Sequence, residues 1–119
     1  MLLTKHYSQD QLVQIIDQAT IYMCACPAQV CEQILHLRNL YDYQNACSRK
    51  SPTNIDIHPI IAEAVTQAHA LLEDCLTRIL TLEKWDMTTL EMPADLRAIR
   101  TEFLASAEVA GLSLDEESE

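Results

Sequence analysis

Three of the five cysteines in this chain of 119 residues lie close together, at Cys24, Cys26 and Cys31, with Pro27 between them. Cysteine thiolates bind zinc and also take part in thiol–disulfide exchange. The odd number of cysteines, and a start at Met1 without a signal-peptide pattern, argue against a framework of structural disulfides. We therefore expect a cytoplasmic protein with reduced thiols, and three interpretations of these cysteines compete.

The first interpretation is a redox or sensor site at Cys24 and Cys26. Pro27 should open a helix, and a thiol at a helix N-terminus has a lowered pKa because backbone N–H groups and the helix dipole stabilise its thiolate. A neighbouring thiol at Cys24 would supply the partner for a strained, easily reduced disulfide. Cys24 and Cys26 are therefore the redox candidates.

The second interpretation is a metal site that adds Cys31 and Cys75 to that pair. If the helices alternate in direction, Cys31 and Cys75 lie at similar height, each roughly 24–26 Å from the loop between the second and third helices. Only a break at Pro27 would let Cys24 and Cys26 converge, since they would lie about 200° apart on a continuous helix. The third interpretation is structural. Cys26 and Cys75 fall on apolar stripes and Cys31 on the flank of one, where cysteine acts as a small buried hydrophobe.

The sequence contains few signs of a phosphate-binding, histidine-metal or catalytic site. The single glycine, Gly111, excludes a glycine-rich phosphate-binding loop. The four histidines do not show metal-ligand spacing on one helix face, and no nucleophile-elbow motif occurs. We therefore expect no enzymatic activity and no cofactor. A small-ligand pocket between the helices is a weaker alternative, which periodicity does not test.

Helical periodicity supplies the elements that would position these residues. Ser8 and Gln11 form a capping-box pattern that predicts the start of a first helix. Pro27 predicts the end of that helix, with Cys26 as a non-helical joint, and a second helix that runs to about Cys47. The predicted buried stripes are Leu12, Ile15, Ile16, Ala19, Tyr22, Met23 and Cys26 in the first helix and Val30, Ile34, Leu37 and Tyr41 in the second.

The third helix is predicted from Asp56 or His58 to about Lys84 and is the longest. Its apolar residues keep a four-three spacing over three heptads, which is typical of a helix that packs along the full length of a partner helix. That partner is either in the same chain or in a second copy, and His69 should lie on the flank of the stripe. The stripe comprises Ile61, Val65, Ala68, Leu72, Cys75, Ile79 and Leu82.

A corner over residues 85–92 and a fourth helix from Pro93 to Gly111 complete the predicted fold. A hydrophobic content of 49% with one glycine favours an all-α fold in a single domain. We expect an antiparallel up-down bundle of four helices over residues 1–111 and a flexible acidic tail over residues 112–119. The buried face of the fourth helix would comprise Leu96, Ile99, Phe103, Ala107 and Ala110.

The formal net charge is −10, and the acidic residues are concentrated in the second half of the chain. Residues 1–60 carry four basic and five acidic side chains, whereas residues 61–119 carry four basic and thirteen acidic ones. Such a chain lacks the basic surface that nucleic acids and anionic membranes require, and no segment is apolar for long enough to span a membrane. The acidity either keeps the protein soluble or forms a docking face for a basic partner. We therefore predict a non-enzymatic helical interaction protein that acts through a helix face or through self-association.

Overall fold

Three helices make up the part of the chain that the computed structural model describes, namely residues 3–20, 25–50 and 57–93. Helix α1 spans Gln9–Thr20, α2 spans Cys26–Lys50 and α3 spans Ile57–Leu82. No strand occurs within these ranges. The all-α prediction is therefore confirmed for the described residues. The predicted fourth helix after Pro93 and the acidic tail lie outside them.

The start of α1 is set by the capping box that the sequence predicts. The backbone N–H of Ser8 donates to Oε1 of Gln11 at 2.8 Å, and the N–H of Gln11 donates to Oγ of Ser8 at 3.1 Å. The Ser8 carbonyl accepts the first helical hydrogen bond, from the N–H of Leu12. Two backbone donors that the helix leaves without partners are thus satisfied by side chains.

Helix α2 begins one residue earlier than Pro27 predicts. The N–H of Gln29 donates to the Ala25 carbonyl at 3.0 Å, so Ala25 caps the helix and Cys26 is its first residue. The prediction of Cys26 as a non-helical joint is therefore wrong by one position. Proline fits here because a residue in the first turn has no helical acceptor for its N–H group. The other end of α2 reaches Lys50 instead of Cys47.

Helix α2 lies between the other two and packs against both α1 and α3. Helix α1 has 12 residues, whereas α2 has 25 and α3 has 26. At about 1.5 Å per residue, α1 covers roughly half the length of the α2–α3 hairpin. The core cluster accordingly joins α1 to the first half of α2 and the second half of α3, through Leu12, Ile15, Ala19, Ala28, Cys31, Ile34, Leu76 and Leu80.

The corner after α3 closes the same end of the molecule as the start of α2. Lys84 and Leu90 have φ values of 64° and 58°, in the left-handed region that glycine usually occupies at helix ends and turns. The side chains of Trp85, Leu90 and Met92 are buried in the core cluster. The predicted corner over residues 85–92 is thus confirmed, and Met92 fills the core.

None of the three helices in the described residues is both long enough and apolar enough to cross a membrane.

Candidate functional site

The cysteines of the α2 turn lie in different environments. Cys26 is exposed at the first position of α2, whereas Cys31 has no exposed surface. Five residues along one helix correspond to a rotation of about 140°, so the two thiols lie on different faces. The predictions that Cys26 faces the core and that Cys31 lies on a flank are therefore wrong.

Cys31 is a core residue with a thiol held in its neutral form. Burial, aided by the Glu32 carboxylate and opposed by the Arg38 guanidinium, raises the pKa of the Cys31 thiol to about 12. A thiolate is the form that binds metals and attacks disulfides. Cys31 therefore behaves as the small buried hydrophobe of the third interpretation.

The remaining metal and redox candidates are only partly within the described residues. Cys75 is half-buried on α3, and Cys24 lies outside the ranges that the structure describes. Within those ranges, no three His, Cys, Asp or Glu side chains are grouped so that they could hold a metal ion. The redox pair Cys24 and Cys26 and the four-cysteine metal set remain predictions.

The most developed polar site is a buried network between α2, α3 and the segment before α1. Nη2 of Arg38 donates to Oε2 of Glu73 at 3.1 Å and to the Tyr7 carbonyl at 2.6 Å. The same Oε2 atom accepts the backbone N–H groups of His6, at 2.9 Å, and of Tyr7, at 3.2 Å. The Arg38 and Glu73 side chains are only 7% and 2% exposed. This network joins residues 6–7 to both long helices.

His69 completes the network and must be neutral in this arrangement. Nε of Arg38 donates to Nε2 of His69 at 3.0 Å, so the histidine proton is on Nδ1, which lies 3.5 Å from Oε1 of Glu73. Burial lowers the pKa of His69, the Glu73 carboxylate opposes this shift and the Arg38 guanidinium adds to it. The charges of Arg38 and Glu73 thus compensate each other inside the network, and the imidazole of His69 stays uncharged.

The sequence interpretation missed this network. It placed His69 on the flank of the apolar stripe, but His69 is 1% exposed and Glu73 is 2% exposed. The available signal was the spacing of His69 and Glu73, four residues apart within an apolar helix, together with Arg38 in the middle of α2. Buried charges are usually paired, so a charged residue on a core face indicates a partner on the facing helix.

A cleft of about 250 Å³ lies beside the network. It is lined by Lys5, Gln9, Leu35, Arg38, Asn39 and Asp42. Most of these side chains are polar, whereas pockets for small molecules are lined predominantly by apolar and aromatic groups. The cleft therefore gives little support to the small-ligand alternative.

The buried face of α3 differs from the predicted stripe. Val65 is the one residue of the predicted stripe that is buried, and Leu82 is 80% exposed. The other members of that stripe are half-buried. The face of α3 that packs against α2 is rotated from the predicted stripe by about one residue position. The buried residues are His58, Val65, His69, Glu73, Leu76 and Leu80.

A second apolar face of α3 remains outside the core of the described residues. We name it the outer seam: it follows a heptad spacing through Ile57, Ile61, Ala64, Ala68, Leu71, Cys75 and Leu82, with Arg78 at one seam position. Ile57, Leu71 and Leu82 are 51%, 71% and 80% exposed. The neighbouring Ile60 is 67% exposed, which widens the seam.

The outer seam lies on the opposite side of α3 from α1. At about 100° per residue, the seam is centred roughly 130° from the middle of the buried face. Thr77 lies about 80° from the middle of the buried face, on the side of the helix away from the seam. Its hydroxyl is hydrogen-bonded to the Tyr7 hydroxyl at 2.5 Å. Among the residues that the structure describes, the segment that leads into α1 therefore covers one side of α3, and the seam on the other side stays exposed.

Comparisons with protein families, with curated proteins and with solved structures gave no significant match.

Proposed function

We propose that this chain is a non-enzymatic helical interaction protein that self-associates through the outer seam of α3. One observation carries the proposal: Leu71 and Leu82 are 71% and 80% exposed on a heptad-spaced stripe of a long helix. Apolar residues scattered singly over a surface need no explanation, but a continuous stripe of them is typical of an interaction site. A heptad spacing in particular matches the surface of another helix.

The length and composition of the seam fit a helical partner. It runs from Ile57 to Leu82, which corresponds to about 37 Å of helix. Seven of its eight positions are apolar, and Arg78 is the exception. Small side chains at Ala64 and Ala68 allow a partner backbone to approach closely between the larger residues at the ends.

The position at which the described chain ends favours a second copy over the chain's own C-terminal segment. The N–H of Met92 donates to Oε1 of Gln18 at 2.6 Å, and Nε2 of Gln18 donates to the Leu90 carbonyl at 2.9 Å. The chain therefore reaches Pro93 on the α1 side of the molecule, whereas the seam lies on the opposite side. We propose that the fourth helix predicted from Pro93 packs beside α1 and leaves the seam to a second copy.

The proposal is tested by the substitution Leu71→Lys in the full chain, with Tyr43→Lys as the matched control. Tyr43 is 65% exposed on α2, a helix that does not carry the seam. Light scattering over a concentration series should show a dimer for the wild type and for Tyr43→Lys. The Leu71→Lys protein should be monomeric because a lysine at the centre of an apolar interface must be desolvated.

Thermal unfolding of the same proteins at low concentration separates this proposal from intramolecular packing. If the seam faces solvent in the monomer, Leu71→Lys should change the unfolding free energy by no more than about 0.5 kcal/mol. A wild-type chain that is monomeric at every concentration, combined with strong destabilisation by Leu71→Lys, would show that another part of the same chain covers the seam. That result would refute self-association.

A further inference from the structure

We infer that the two copies meet with their α3 helices antiparallel, related by a two-fold axis that passes near Ala68 and Leu71. The inference rests on the proposed function, since it assigns the partner of the outer seam and its direction. Most homodimers have a two-fold axis, which makes each residue contact a fixed counterpart in the other copy. The direction of α3 decides which residues those counterparts are.

An antiparallel register pairs apolar side chains in three of the four distinct layers of the seam. With Ala68 opposite Leu71 of the second copy, Ala64 lies opposite Cys75 and Ile57 lies opposite Leu82. The two-fold axis repeats each of these contacts on its other side. The interface therefore extends over the whole length of α3. These layers pair a small with a large side chain at Ala68–Leu71, two small ones at Ala64–Cys75 and two large ones at Ile57–Leu82, and varied sizes of this kind can interdigitate closely.

Arg78 gives the strongest reason to choose this direction. In a parallel pair, Arg78 of one copy would face Arg78 of the other within the seam, and two guanidinium groups in contact repel each other. In the antiparallel register Arg78 lies opposite Ile61. The two Arg78 residues are then separated by about 26 Å along the helix axis, given 1.5 Å per residue. A polar residue at a single seam position is a known means of fixing helix orientation.

The flanking residues are compatible with the same direction. Gln67 and Asp74 lie on one edge of the seam, and the antiparallel register places Gln67 of each copy beside Asp74 of the other. An amide N–H group can donate to a carboxylate, so this contact is favourable. Residues on the edges of paired helices commonly set partner choice and orientation in this way.

Disulfide cross-linking tests the register directly. The substitution Ala64→Cys introduces a thiol opposite Cys75 of the second copy, in a full chain in which Cys24, Cys26 and Cys47 are replaced by serine. Cys31 is retained because it is fully buried. Within one chain, positions 64 and 75 are about 16 Å apart along α3, too far for a disulfide, so any bond between them joins two copies. The cross-linked peptides are identified by mass spectrometry after mild oxidation.

The antiparallel dimer should give a covalent dimer joined between position 64 and Cys75, and the variant that retains Ala64 should give far less cross-linked product. Bonds between two position-64 thiols, or between two Cys75 thiols, would overturn the antiparallel register. They would leave self-association through the seam intact. A chain that stays monomeric and forms no cross-link under the same conditions would overturn both the register and the proposed function.

Discussion

At the scale of residues, the most specific feature of the molecule is the neutralised charge network at Arg38, His69 and Glu73. Burying a charged group without a partner is costly, and breaking a buried ion pair typically destabilises a protein by about 3–5 kcal/mol. Oε2 of Glu73 accepts from Arg38 and from the backbone of both His6 and Tyr7. The network therefore fixes the direction in which the chain enters α1.

The lowered pKa of His69 predicts how stability depends on pH. The unfolded histidine titrates near pH 6.5, and the folded one below that value, so the unfolded chain binds more protons between the two pKa values. The contribution of His69 to stability should be complete above about pH 6.5 and should be lost as the pH falls below it. Urea unfolding of the wild type between pH 7.5 and 5.5 measures this slope.

The His69→Gln variant should lack this part of the pH dependence, because an amide can replace the acceptor for Arg38 without titrating. His36→Gln is the matched control, since His36 is exposed on α2. The control should keep the wild-type slope. Equal slopes for wild type and His69→Gln would mean that His69 does not become protonated on unfolding in this range.

Cys31 supplies a second test at this scale. Because burial raises the pKa of its thiol to about 12, the thiol should resist alkylation in the folded protein at pH 8, whereas exposed Cys26 should be modified much faster. Peptide mass spectrometry after timed iodoacetamide treatment gives both rates. Rapid modification of Cys31 without unfolding would contradict its position in the core.

At the scale of elements, local signals in the sequence predicted where α1 and α2 begin. The Ser8–Gln11 capping box is confirmed by both of its hydrogen bonds, and Pro27 correctly marks the start of α2 within one residue. These signals depend on backbone groups only a few residues away. The buried face of α3 was predicted less well. Apolar residues cover more of the circumference of this helix than the part that packs against α2.

The misplaced face of α3 has a physical cause. Periodicity alone assigns apolar residues to the core, but here His69 and Glu73 occupy core positions because Arg38 on the facing helix satisfies them. Leu71 and Leu82 are displaced to the outer seam as a result. Pairing between α2 and α3 is a tertiary property that one helix does not encode.

The two faces of α3 should respond differently to the same truncation. Leu76 is fully buried, so Leu76→Ala should cost roughly 2–5 kcal/mol of unfolding free energy. Leu71 is 71% exposed, so Leu71→Ala should change it by about 0.5 kcal/mol or less in dilute protein. Chemical denaturation at the lowest practical concentration compares the two variants. A larger loss for Leu71→Ala would contradict the assignment of the outer seam.

At the scale of the whole molecule, the described residues place α1 on one side of the α2–α3 hairpin and leave the outer seam exposed on the other side. Helix α1 covers one side of the hairpin over about half its length, and the network at Glu73 lies where that coverage begins. On the other side of Glu73, toward the start of α3, the described hairpin consists of α2 and α3 without a third helix. A second copy on the other side of α3 would supply the missing layer along its full length.

The acidity of the chain sets the conditions for this association. With a net charge of −10, two copies repel each other, and salt screens that repulsion. Sulfate and phosphate salts also strengthen apolar contacts. Association through the seam should therefore become tighter as the salt concentration rises. Contact between an acidic and a basic surface would show the opposite dependence.

The direct test of self-association through the outer seam is the mass of the full chain in solution, measured by light scattering over a range of concentrations at low and high salt. Self-association through the outer seam predicts a rise from 13.5 kDa toward twice that mass as concentration increases, with the midpoint at lower concentration in high salt. A mass that stays at 13.5 kDa at every concentration and salt level would contradict it.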